Sequence, residues 1–216
     1  MSAEHHRSSG AIPMTRTAAI AAAGAALVLA LVALVVVSGI SLVPAGLLLG
    51  PCLPDWTSPN SYGRRASPLA TVRWHAGSVS GELCYGRPSR RGRPVYGGLV
   101  PFDTLWRFGA NEPTRLYLGG TVRLAGLRLG PGRYSLYVRP ASGSWTLFAS
   151  RSVLHWGNDI SAAVRAREVG QAALKPEVLP EPVETLTVTA AATGDTTWLR
   201  FDWETTRVAL PIVPAP

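Results

Sequence analysis

With 216 residues, 21 Lys and Arg against 13 Asp and Glu, and a formal net charge of +8, the chain holds an N-terminal segment and one ordinary domain with a substantial core, with little room for a second. Lys175 is the only lysine, so the positive charge is arginine, which suits carboxylate or phosphate partners held bidentately. No helix-turn-helix, zinc-finger or RNA-binding pattern accompanies it, so nucleic acid is not expected as a partner and a solvated charged face is the plainer reading.

Residues 1–17 read as a short cytoplasmic N-terminus, Arg7 and Arg16 outweighing Glu4 in the manner of the positive-inside tendency. Ala18–Val37 is uncharged and apolar, long enough for a membrane-crossing helix of about 20 residues. The apolar character runs on to Gly50, beyond the core of a cleaved signal peptide. Residues 18–50 are therefore predicted to be a transmembrane signal anchor, which makes the chain a single-pass cell-membrane protein with its C-terminal domain extracytoplasmic. Pro51 precedes Cys52, which disfavours lipid attachment. Residues 51–68, rich in Pro, Ser, Gly and Asn, read as a linker. Cys52 and Cys84 are the only cysteines; a disulfide, or a free linker thiol and a buried strand residue, both fit.

From residue 69 to 216 short alternating segments predict an all-β domain, a β-sandwich or jelly-roll-like fold of about nine strands. TVRWH (71–75) and ELCY (82–85) form a first hairpin around AGSVSG. TRLYL (114–118) and TVRL (121–124) flank Gly119-Gly120, a doublet suited to a tight hairpin turn with positive backbone dihedrals. RYSLYVR (133–139) and SWTLFAS (144–150) are joined by PASG, with Tyr134, Leu136 and Val138 on one side. AAVRARE reads as a strand. Leu186 and Val188 mark a buried side of the segment that follows, as do Leu199, Phe201 and Trp203 of TTWLRFDWE.

Chemistry concentrates between Gly81 and Gly119. Arg87, Arg90, Arg91 and Arg93 lie on a connection stiffened by Pro88 and Pro94, where guanidinium forks suit an anion. In LWRFGANEPTRL, Arg107, Asn111 and Glu112 offer polar groups beside the apolar wall of Trp106 and Phe108, the mixture a small-molecule site requires. An internal Arg107–Glu112 ion pair that merely locks the loop fits equally. HWGND (155–159) offers a binding rim, with His155 titratable, or a capped turn. His75 and His155, with Asp103, Glu112 or Asp159, have no metal-ligand spacing, so no metal is expected. No nucleophile elbow or paired acid and base is evident.

At YGRPSRRGRPVYGGLVPFDTLWRFGANEPT, then LGPGRYSLYV and HWG, the chain resembles the DUF2911 family, an uncharacterised group of largely secreted or envelope-associated bacterial proteins. The resemblance extends from about Ser67 to Ile212, through LPEPVETLTV and LRFDWETTRVALPI. It rests on Tyr85, Arg87, Pro88, Gly92, Arg93, Gly97, Gly98 and Pro101, on Trp106, Arg107 and Gly109 to Glu112, and later on Gly132, Tyr134, Ser135, Leu136, Trp156 and Gly157. Cys84 before YGRP and the long N-terminal apolar run depart from the family's usual character. The resemblance implies one integrated β-domain with a meaningful central loop, and supplies no activity, ligand or catalytic residue.

The expected function is a membrane-anchored extracytoplasmic binding or interaction module for an anionic or polar envelope ligand, or for an envelope protein. Its candidate ligand-binding residues are Tyr85, Arg87, Arg93, Tyr96, Trp106, Arg107, Asn111, Glu112 and Trp156. The alternatives are a hydrolase of a cell-envelope molecule, with Glu112 or His155 as acid/base and Arg107 steadying negative charge, and a structural component of an envelope complex. No cofactor is expected, and catalysis is left undecided.

Overall fold

Alternation of apolar and polar residues builds most of the strands in the computed structural model of the chain, which describes residues 24–30, Cys52 and 65–216. β1 (Leu69–Ala76) and β2 (Val79–Gly86) form an antiparallel hairpin with Leu69 opposite Gly86 and Ala76 opposite Val79. A long connection leads to β3 (Thr114–Leu118), followed by β4 (Val122–Leu124), β5 (Leu127–Leu129), β6 (Gly132–Arg139) and β7 (Trp145–Ser150). A short helix, α1 (Ala162–Arg165), precedes β8 (Glu168–Leu174), and two long strands close the chain, β9 (Pro176–Thr193) and β10 (Thr196–Pro214). Six strands form one sheet in the order β1-β2-β3-β6-β7-β8, and four form another in the order β5-β4-β10-β9.

The two sheets share one apolar core in a sandwich-like arrangement. Trp74, Leu83, Leu116, Leu136, Val138 and Trp145 of the first sheet and Leu186, Val188, Leu199, Phe201 and Trp203 of the second are all buried in it. The opposite face of β6 and β7 carries a smaller cluster of Tyr137, Phe148 and Val164, against which Leu105 and Ile160 pack. Aromatic side chains of the β2–β3 connection enter the main core: Phe108 stacks on Phe201 with centroids 3.9 Å apart, and Trp106 stacks on Trp203 at 5.8 Å. That connection is thereby fixed to β10, on the other sheet.

Two local expectations are corrected. β3 and β4 do not form a hairpin, because β3 lies between β2 and β6 whereas β4 joins the other sheet. Gly119-Gly120 carries the crossing between sheets, neither glycine has a positive φ, and the Gly119 N–H donates to the Ser80 carbonyl at 2.9 Å. AAVRARE is not a strand. Its first four residues form α1, where Val164 is buried on Tyr137 and Phe148, and alanine's helix preference prevails over the short alternation.

The expected transmembrane helix is also corrected: among the described residues no helix is long and apolar enough to cross a membrane. Of Ala18–Val37, residues 24–30 are described, as helix with exposed side chains, and at 1.5 Å per residue such a stretch reaches about 10 Å, against the roughly 30 Å of a bilayer core. The rest of the expected span lies outside the described residues. With the helix go the signal anchor, the membrane as a partner, the single-pass cell-membrane placement and the reading of a membrane-anchored extracytoplasmic module. The chain divides into two compact units, Met1–Ser41 and Leu42–Pro216, and all ten strands belong to the second.

Candidate functional site

The 87–113 connection is far longer than most links between strands, and loops of such length either carry function or are held by specific contacts. Its first part is tied along β9. Arg90 N–H donates to the Glu184 carbonyl at 2.9 Å, Leu186 N–H to the Pro88 carbonyl at 2.9 Å, and the Ser89 and Thr185 hydroxyls lie 2.8 Å apart. The Arg87 guanidinium is spent on the same junction, donating to the Leu186 carbonyl at 3.2 Å and the Thr187 hydroxyl at 3.0 Å. The second part is tied to β6 by reciprocal Trp106 and Val138 backbone bonds of 2.8 Å. Trp106 Nε1 then donates to the Gly109 carbonyl at 3.0 Å, and the Thr114 hydroxyl to the Phe108 carbonyl at 2.9 Å. Phe108 and Asn111 sit at φ 58° and 62°, a conformation costly for a side chain that the surrounding contacts must sustain.

Between these two parts lies a cleft of about 280 Å³. Arg91, Arg93 and Arg107 contribute its charge, Trp106 and Trp203 an indole wall, and Ser67, Asn111 and Asn158 further polar groups. Arg93 is folded back, its Nε donating to the Arg90 carbonyl at 2.9 Å. Arg107 is half-buried and its Nε has no hydrogen-bond partner among the described residues. Burial lowers its pKa from the ordinary value, and the negative charge of Glu112 opposes that shift. Asn111 Nδ2 donates to the Ser67 carbonyl at 3.0 Å, and the fully buried Glu112 carboxylate accepts from Arg65 at 2.5 Å. Residues 65–67 are thus held against the loop and supply one wall of the cleft.

The 155–159 loop meets the same region. Asn158 Oδ1 accepts from the Arg107 backbone N–H at 3.4 Å, and a β-carbon at Gly157, whose φ is 46°, would stand 2.7 Å from the Asn111 carbonyl oxygen. His155 is half-buried. Burial lowers its pKa, with the Arg115 charge in the same direction, while a Ser152 backbone hydrogen bond and Asp159 oppose it.

Of the residues expected to bind ligand, the structure brings Arg93, Trp106, Arg107 and Asn111 together in the cleft. Tyr85, Arg87, Tyr96, Glu112 and Trp156 do not line it. The Tyr85 hydroxyl accepts the Val188 N–H at 2.8 Å, linking β2 to β9. Tyr96 packs against Trp106, Trp145 and Trp203; burial drives its phenol far above the ordinary value, with Glu204 and Asp202 adding to the shift. Tyr96 also lines a second cavity of about 240 Å³, with Phe102 and Val178. Glu112, buried and ion-paired, offers no accessible carboxylate for acid/base work. Ser67 and Trp203 escape sequence reasoning: the first lies in what reads as linker, and the second differs in no way from other core positions of β10.

Cys52 and Cys84 are joined in a disulfide with Cα atoms 5.1 Å apart. Among the described residues the one grouping of three potential metal-ligating side chains is Cys52, Glu82 and Cys84, and its sulfurs are committed to that bond. His75, His155, Asp103, Glu112 and Asp159 are not gathered into a ligand set.

The fold and the cleft define a two-sheet β-domain whose candidate site is built by one long inter-strand loop. The chain belongs to the DUF2911 family of proteins of unknown function, whose model matches residues 67–212. No curated protein and no solved structure matches the chain.

Proposed function

We propose that the domain binds a small anionic molecule in the cleft between the two halves of the 87–113 connection. The observation that carries this reading is the charge of the wall: three arginines and, among the described residues, no acidic side chain line it. A half-buried guanidinium has lost part of its hydration, and an anion in the cleft restores by a charge-assisted bond what burial removed. Trp106 and Trp203 give the same cavity an apolar flank, which matches the mixed chemistry of small-molecule sites.

Calorimetric titration of the full chain with sulfate and inorganic phosphate tests it. Arg107→Gln is expected to weaken binding by about 10- to 100-fold, since a hydrogen bond to a charged group is worth about 1.5–3 kcal/mol, and Arg93→Gln to weaken it less. Affinity unchanged in both variants would remove the anion from this cleft.

A further inference from the structure

A smaller cavity of about 50 Å³ adjoins the cleft. Leu99, Val100, Trp106 and Asn158 belong to the walls of both, so the two spaces meet at one rim. Beyond that rim the wall is Pro101, Thr104 and Leu105. None of the three arginines reaches this annex, and its wall contains no charged side chain. An inorganic anion seated among the arginines would leave it unused, and a water there would find few polar partners, Thr104 and Asn158 being the polar side chains available.

We infer that the ligand is a small organic anion with a short, unbranched apolar arm, its anionic head among Arg91, Arg93 and Arg107 and its arm passing Trp106 into the annex. This rests on the anion-binding reading of the cleft and adds the ligand class to it. The annex sets the arm's length. With about 30 Å³ as the share of one water-sized group, it accepts about two methylenes. Each methylene withdrawn from water strengthens binding about four-fold, so affinity rises over two added carbons and then stops rising.

The test is calorimetric titration of the full chain with inorganic phosphate and the n-alkylphosphonates from methyl to pentyl, with acetate to hexanoate alongside to identify the preferred head group. The expected result is a roughly 15-fold gain from methyl to propyl and none beyond, in whichever series binds. Thr104→Phe, which places a ring at the annex from an exposed position, is expected to abolish the propyl-to-methyl ratio. A flat series, a gain that continues through pentyl, or a ratio that survives Thr104→Phe overturns the annex while leaving the anion site standing. If no member of either series binds, the anion reading itself fails and takes this inference with it.

Discussion

His155 is a titrating group whose folded environment disfavours its charge. Desolvation holds its pKa below 6.5, helped by Arg115, against Asp159 and the Ser152 backbone. The sign of the consequence is fixed by linkage: as pH falls, the unfolded chain takes up the proton first, at about 6.5, so folding is increasingly penalised until the lowered folded-state pKa is passed. The contribution is fully present above about 6.5 and lost below it. Melting the full chain between pH 7.5 and 5 should therefore show a fall in Tm that His155→Gln makes shallower. Parallel curves for the two proteins would mean that His155 is not the group responsible. The same loop illustrates what residue-level reading reaches. HWGND was recognisable as a polar, glycine-containing rim, but that Asn158 rather than Trp156 faces the cleft follows from Gly157 turning beneath the Asn111 carbonyl, a contact between loops distant in sequence.

The end of β2 and the 106–113 loop approach so closely that a side chain at Gly86 would run into the Ala110 backbone carbonyl. Ala110 N–H donates to the Gly86 carbonyl at 3.2 Å in the same contact, so neither backbone can retreat without giving up a hydrogen bond. Gly86→Ala should lower stability by at least about 3 kcal/mol, the range of overpacking against rigid neighbours. A denaturation midpoint within error of the parent's would show that the loop yields. This contact also separates what was legible in the sequence from what was not. Strands with strict alternation and flanking turns declared themselves: β1, β2, β3, β6 and β7 lie where TVRWH, ELCY, TRLYL, RYSLYVR and SWTLFAS place them. Pairing was another matter. Gly119-Gly120 is compatible with a hairpin or a crossing, and the choice is made by β6 occupying the edge of β3 that β4 would need. The lengths of β9 and β10, 18 and 19 residues, were hidden because Pro176, Pro180 and Pro182 look like strand breaks. β9 is an edge strand, where a missing N–H is tolerated, and the hairpin absorbs register shifts around Glu204, itself at φ 53°.

Across the whole molecule the net charge of +8 is not what holds the domain together. Arg73–Glu82 and Arg165–Glu168 are ion pairs with exposed arginines, a class worth at most about 1 kcal/mol each, and the shared core supplies far more. The wall of the cleft depends on a different device. Residues 65–67 reach the loop through Arg65 on Glu112 and the Ser67 carbonyl on Asn111, and the disulfide between Cys52 and Cys84 closes a loop of sequence separation 32 around that segment. In the chain-entropy view, closing such a loop removes freedom from the unfolded state worth about 3–4 kcal/mol. Cys84 is buried and Cys52 partly so, and Cys84→Ser would place a hydroxyl where an apolar sulfur packs. Cys52→Ser, which leaves Cys84 as a small buried thiol, is therefore the cleaner cut. It should lower the Tm of the full chain by about 6–12 °C, at 2–4 °C per kcal/mol for a domain of this size, and reduction of the parent protein should produce the same fall. If the disulfide also keeps residues 65–67 seated, anion affinity measured well below either Tm will drop in the variant as well. A lowered Tm with unchanged affinity would assign that seating to Arg65 and Asn111 alone, and an unchanged Tm would show that the 52–84 bond does not restrain the unfolded chain.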